Sequence, residues 1–147
     1  FYSVGKFSEG VAPVNFKGLW GYIDRTGNFV IPPGFAGAEE FHEGLARVGK
    51  PTDSGLSYFG FIDKTGKQVI DFLFNHAGNF YDGLSVVKQD DKWGYIDKTG
   101  KLAIAARFSA ANDFNNGLAR VEMKKSSGQT IFAYINKKGR IVWESKE

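Results

Sequence analysis

Cysteine is absent from the 147 residues, which excludes disulfides, thiolate zinc sites, haem attachment and cysteine nucleophiles. It leaves the compartment open, because a cysteine-free chain suits an oxidising or a reducing environment. Histidine occurs twice, at His42 and His76. Neither has an acidic or serine partner at a telling spacing, so both read as surface or connector residues rather than metal ligands or catalytic bases. No run approaches the roughly 18 apolar residues that a membrane-spanning helix needs. A dominant charge is also missing: 19 Lys and Arg face 16 Asp and Glu, a net of +3. The densest basic spots, Lys124-Lys125 and Lys137-Lys138-Gly139-Arg140, are short and read as solvated surface, against a nucleic-acid partner. The chain starts at Phe1 rather than Met, which suggests a leader or further protein upstream. What is present is 42% hydrophobic and 24% charged, a globular balance. The length predicts one domain over residues 1–147.

Self-similarity organises the rest. A Phe-x-x-Gly motif recurs as Phe7–Gly10, Phe41–Gly44, Phe80–Gly83 and Phe114–Gly117, at spacings of 34, 39 and 34. A short apolar run follows each: Val11-Ala-Pro-Val14, Leu45-Ala-Arg-Val48, Leu84-Ser-Val-Val87 and Leu118-Ala-Arg-Val121. Next comes an aromatic pentamer: Trp20-Gly-Tyr-Ile-Asp24, Phe59-Gly-Phe-Ile-Asp63, Trp93-Gly-Tyr-Ile-Asp97 and Phe132-Ala-Tyr-Ile-Asn136. Three positions later stand Gly27, Gly66, Gly100 and Gly139, followed by a third apolar run. From the motif glycine to the second aromatic is 12 residues in copies one and three and 17 in copies two and four. Five extra residues are thus confined to one loop of the even copies, and a pair of repeats was duplicated as a unit. The units run approximately 1–34, 35–73, 74–107 and 108–147.

Each copy reads as a three-stranded meander in an all-β chain. Asp or Asn followed three residues on by Gly is the chemistry of a type I turn with a glycine bulge, so the second and third runs pair antiparallel. The connectors, with Phe35, Phe74 or Phe108, support a turn or one short helical turn at most. Period-two alternation places Trp20 and Tyr22 on one strand face and Gly21 and Ile23 on the other. No polar residues alternate, so both faces should be covered in every copy. Repeats that cover each other form a solenoid or a propeller.

The units Phe-x-x-Gly-Leu-Ala-x-Val and Lys92-Trp93-Gly94-Tyr95-Ile96-Asp97-Lys98-Thr99-Gly100-Lys101 resemble the bacterial WG, or KWG, β-repeat. The resemblance covers essentially the whole chain. Copies two and four depart by carrying Phe59 and Phe132 for Trp, and copy four also carries Ala133 for Gly. The resemblance implies a β-repeat module of multi-copy arrays, often in exported or surface-associated bacterial proteins. It implies no shared catalytic residues.

Candidate chemistry is sparse. Gly60–Gly66 with Lys67 imitates a phosphate loop, but five residues separate the glycines and Gln68 stands where Ser or Thr is required. Asp24, Asp63 and Asp97 imitate a glycosidase set, yet Asn136 fills the same slot, and turn capping needs only an acceptor. These readings predict no enzyme, no metal and no cofactor. Trp20 and Trp93, with Phe59 and Phe132, read as packing between repeats ahead of a sugar platform. Trp143 replaces the series Ile31, Ile70, Ile104, which suggests a cap over the array or a contact surface. The loops at 49–57 and 123–130 hold the insertions of the even copies and should emerge on one side, making Asp53, Lys124 and Lys125 candidate contacts.

The functional expectation is a protein-binding or scaffolding module, with carbohydrate or cell-envelope binding as the alternative and an accessory region of a larger enzyme as the weakest reading. Phe1 falls 34 residues before Phe35, at the connector position. Four such units fit an open superhelical array, favoured here, or a small closed four-bladed ring. An open array leaves an uncovered sheet face at its ends, which predicts self-association.

Overall fold

The computed structural model describes residues 3–53 and 58–146. It is all-β, without helix among the described residues, and forms four open antiparallel sheets, one for each repeat. Two compact units, Phe1–Asn75 and His76–Glu147, hold two repeats apiece.

In the first unit one sheet has the order β1 (Ser3–Val4), β2 (Ala12–Phe16), β3 (Leu19–Ile23), β4 (Phe29–Phe35). The other has β5 (Gly37–Ala38), β6 (Ala46–Lys50), β7 (Tyr58–Ile62), β8 (Gln68–Phe74). In the second unit β9 (Ser85–Gln89), β10 (Lys92–Ile96) and β11 (Leu102–Phe108) form the third sheet. The fourth sheet is β12 (Ala110–Ala111), β13 (Leu118–Lys124), β14 (Thr130–Asn136) and β15 (Ile141–Glu144).

The connectors differ from the sequence expectation. Beyond the turn or single short helical turn expected at most, they supply the short edge strands β1, β5 and β12, and in the third repeat a single bridge from Ala77 to Val87. Satisfaction of backbone groups explains this: on either side of β5, Ala36 and Glu39 donate to the carbonyls of Gly49 and Arg47, both at 2.9 Å, which would otherwise face a bare sheet edge.

The Phe-x-x-Gly motif is itself a tight hairpin. Ser8 and Val11 exchange both backbone bonds across Glu9 and Gly10, whose φ angles are 55° and 88°. Two consecutive positive φ values define the type I′ turn, whose twist matches the flanking strands. His42–Leu45, Tyr81–Leu84 and Asn115–Leu118 repeat it.

The capping assignment for the second hairpin is borne out. Asp97 Oδ1 accepts from the Thr99 and Lys101 backbone N–H groups and from the Thr99 hydroxyl. Asp24 and Asp63 do the same, and Asn136 Oδ1 accepts from the N–H groups of Lys138 and Arg140. The hydroxyl bond from the neighbouring Thr, first, and the backbone donors hold all three carboxyls below the ordinary value of 3.8.

The glycine after the aromatic serves its own sheet. A Cβ on Gly94 would lie 2.6 Å from the Ile104 carbonyl oxygen, and Gly21 and Gly60 meet Ile31 and Ile70 in the same way. The close neighbour is therefore the backbone of the third strand, not a stacked sheet. That strand bulges: Trp93 pairs with Phe108 and Tyr95 with Ile104, so the strand carries extra residues that press over the glycine. In the fourth sheet Ala133 pairs with Glu144 and Tyr134 with Trp143 with no bulge between them, which is why alanine fits there.

Candidate functional site

Within each unit the same contact joins one repeat to the next. Tyr95 is fully buried, its ring centroid lies 4.7 Å from that of Phe114 at a steep angle, and its hydroxyl donates to the Asn112 carbonyl at 2.6 Å. In the first unit Tyr22 meets Phe41 at 5.0 Å and donates to the Glu39 carbonyl at 2.7 Å. Burial, chiefly, pushes both phenols far above their ordinary value, with Glu39 adding to this at Tyr22 and Asp113 at Tyr95. Both therefore remain protonated donors. A second contact seats the third-strand isoleucine on the next hairpin turn: Ile31 lies 3.3 Å from the position a Gly66 Cβ would take, and Ile104 3.0 Å from that of Gly139. A third links the tight turns, where Glu9 accepts from the Gly44 N–H at 3.0 Å and Asp82 from the Gly117 N–H at 2.8 Å.

The fourth sheet carries the same elements with one side open. Ala119, Val121, Ile131, Ala133 and Ile135 are buried, and all but Ile131 belong to the core shared with Tyr95, Ile104 and Phe114. The alternate positions face outward: Leu118 is 41% exposed, Phe132 36%, Tyr134 40% and Trp143 54%. The expectation that both faces are covered holds for the pentamer strands of the first three sheets, where Gly, the aromatic and Ile are buried in succession. It fails for β14, whose exposed and buried residues alternate strictly. Conventional one-sided antiparallel packing accounts for the difference.

This outer face is the candidate site. Tyr134 and Trp143 are cross-strand partners with ring centroids 6.0 Å apart, and the Arg120 guanidinium lies over the Phe132 ring at 4.3 Å. Strand alternation puts Lys124 at the rim of the same face. Arg47 lies over Phe59 in the same way, at 4.8 Å. The signal for this pairing was in the sequence: the two copies with Phe in place of Trp are the two with Arg in the first run.

The other sequence candidates fall elsewhere. Trp20, Phe59 and Trp93 are half-buried. Gly27, Gly66, Gly100 and Gly139 all occupy hairpin turns, at φ between 79° and 89°. Asp53, Lys124 and Lys125 are exposed. Residues 54–57 of the first insertion lie outside the described residues, as does Phe1. The second insertion is no loose loop: it lengthens the β13–β14 ladder and closes in a Lys125–Gln129 turn, with Lys125 donating to the Gln129 carbonyl and Gly128 to that of Lys125. His76 rests 5.9 Å from the Trp93 ring and His42 4.0 Å from Glu40. Among the described residues no cluster of three potential metal ligands occurs. An open cleft of about 360 Å³ is lined by Tyr81, Asp113, Phe114 and Asn115; sequence reasoning had no signal for it. No helix of the described residues is long and apolar enough to cross a membrane.

A protein of unknown function from Bacteroides caccae aligns in structure over 97% of this chain, with a TM-score of 0.47 and 17% identity. The chain spans 59% of that protein's length. No curated protein matches in sequence. The family model for the WG containing repeat matches residues 1–20, 20–50, 59–93 and 93–125. Four successive matches over most of the sequence leave one conclusion: the chain belongs to the WG containing repeat family.

Proposed function

We propose that the chain is a non-catalytic protein-interaction module that binds through the outer face of its fourth sheet. One observation carries this reading. Tyr134 stands where Tyr22 and Tyr95 stand, yet it is 40% exposed while they are fully buried. Those two are covered by polypeptide, a phenylalanine ring and a backbone carbonyl. The face is thus complementary to protein of β-hairpin form. Large aromatics beside an arginine are also the residue types that anchor protein interfaces. The tight turns, the caps and the motif glycines are explained by folding, which supports a role that does not draw on them for chemistry.

Carbohydrate binding is the competing use of an exposed aromatic row. Arg120 already covers one face of Phe132, so a sugar ring would have to displace it before stacking there.

The test is a titration of the chain with a cyclised peptide of residues 109–122, the hairpin that covers Tyr95. Trp143 fluorescence is read in a Trp20→Phe, Trp93→Phe background, with soluble cell-wall oligosaccharides as the parallel ligand. A saturable blue shift with the peptide alone is expected. A response to oligosaccharide with none to peptide replaces protein by carbohydrate as the ligand.

A further inference from the structure

We infer that the cleft at the junction of the third and fourth repeats is a binding site for an alkylammonium ion, the group that a lysine side chain or a free amine carries. Tyr81, Asp113, Phe114 and Asn115 line a volume of about 360 Å³, within the roughly 300–1,000 Å³ of small-ligand sites. The cleft lies inside the second unit, between two repeats, and shares no residue with the outer face of the fourth sheet.

Its lining combines what an organic cation needs. Asp113 supplies a carboxylate, which only accepts and forms short, charge-assisted bonds with N–H donors. Tyr81 brings an aromatic ring, whose negative face attracts a cation lying over it. Phe114, only 2% exposed, adds an apolar wall suited to the methylenes next to an ammonium nitrogen. None of the lining residues is cationic, so an anion would meet the carboxylate without compensation. The rim is also held in shape. Tyr81 and Leu84 exchange both backbone bonds across one tight turn, as do Asn115 and Leu118 across the other. Asp82 ties the two turns together by accepting from the Gly117 N–H at 2.8 Å. A site formed in advance spends little free energy on ordering when a ligand enters.

The equivalent junction in the first unit is built from Ser8, Glu40, Phe41 and His42. There the Ser8 hydroxyl donates to the Phe41 carbonyl at 2.6 Å, and the His42 imidazole lies 4.0 Å from the Glu40 carboxylate. The second unit exchanges the small hydroxyl for the Tyr81 ring and the imidazole for the neutral Asn115 amide, while keeping a carboxylate at Asp113. Both exchanges favour an incoming cation. One adds an aromatic surface, and the other takes a competing basic group away from the carboxylate.

The test is an NMR titration of the 15N-labelled full chain at constant ionic strength, following the backbone amides of Tyr81, Asn115 and Gly117. n-Butylammonium represents a free amine and N-acetyl-lysine-N-methylamide a chain-borne one; the tighter of the two identifies the source. 1-Butanol is the neutral control and calcium chloride the inorganic one. Saturable shifts at these amides are expected with the two ammonium ligands and not with the controls. Asp113→Asn should weaken binding at least about tenfold, or ~1.4 kcal/mol, and Asn115→Lys, which sets a fixed positive charge at the rim, should abolish it. Both positions are exposed, and the amide spectrum of each variant reports whether its fold is intact. If Asp113→Asn fails to fold, Asn115→Lys carries the test. No saturable shift with either ammonium ligand overturns the inference. So does equal binding of butanol or of calcium, or unimpaired binding by the folded variants.

Discussion

The third and fourth sheets are built from nearly the same words and end in different environments. Tyr95 and Tyr134 occupy the same strand position in the same motif. One is sealed under Phe114 with its hydroxyl satisfied; the other lies open beside Trp143. The difference propagates to the neighbours. The third sheet keeps Gly94 because its own third strand bulges across it, whereas the fourth has Ala133 and its irregularity lies further on, between Tyr134 and Ile135. A motif residue thus has no fixed energetic role. Its contribution depends on whether another repeat lies over it.

The largest expected effect separates the two tyrosines. Tyr95→Ala should cost about 3–5 kcal/mol, as for other large buried aromatics, while Tyr134→Ala should cost only about 1 kcal/mol, chiefly its cross-strand pairing with Trp143. Urea melts of both variants measure this at a concentration where the chain is monomeric, and equal losses would erase the contrast. Next come the strand glycines. Gly94→Ala forces a methyl against the Ile104 carbonyl and should cost about 1–3 kcal/mol; Ala133→Gly should cost about 0.5–1 kcal/mol through backbone freedom alone. A harmless Gly94→Ala would show that the third strand can straighten, and the bulge would lose its explanation.

Smaller still is the hydroxyl. Tyr95→Phe leaves the Asn112 carbonyl without its donor and should cost about 1 kcal/mol, while Tyr134→Phe should leave the melting midpoint unmoved. A loss at Tyr134 would reveal a partner for its hydroxyl within the chain. The smallest effect concerns acid. The folded state holds Asp24, Asp63 and Asp97 below the ordinary value of 3.8, so their caps add stability above that pH. The contribution is lost as pH falls through the lowered folded values. Asn136 caps without a titrating proton. Replacing all three aspartates by asparagine should therefore flatten the acid limb of a stability–pH curve. An unchanged limb would place the acid sensitivity elsewhere.

Much of the fold was legible because local chemistry is repeated. Asp-x-x-Gly reads as a capped bulge turn in any one copy, and four copies in register make it secure. The tight turns were half legible: Asp82-Gly83 and Asn116-Gly117 are type I′ signals, but Glu9 and Glu43 at the same place obscure them. The connector strands left no trace, since two small residues carry no period. The candidate site was only partly visible. Trp143 stood out by breaking the isoleucine series, and Arg120 with Phe132 could have been found by comparing even copies with odd ones.

What the sequence determines by itself is the repeat, the turns and the alternation of side chains, because these follow from φ preferences and a two-residue period that act within a few residues. Whether a given face is buried was decided by tertiary structure alone. Tyr22, Tyr95 and Tyr134 carry the same local code, and only the presence of Phe41 or Phe114, 19 residues further along, turns exposed aromatic surface into core. The hydrophobic effect acts on area removed from water, and that area is a property of the neighbour as much as of the residue.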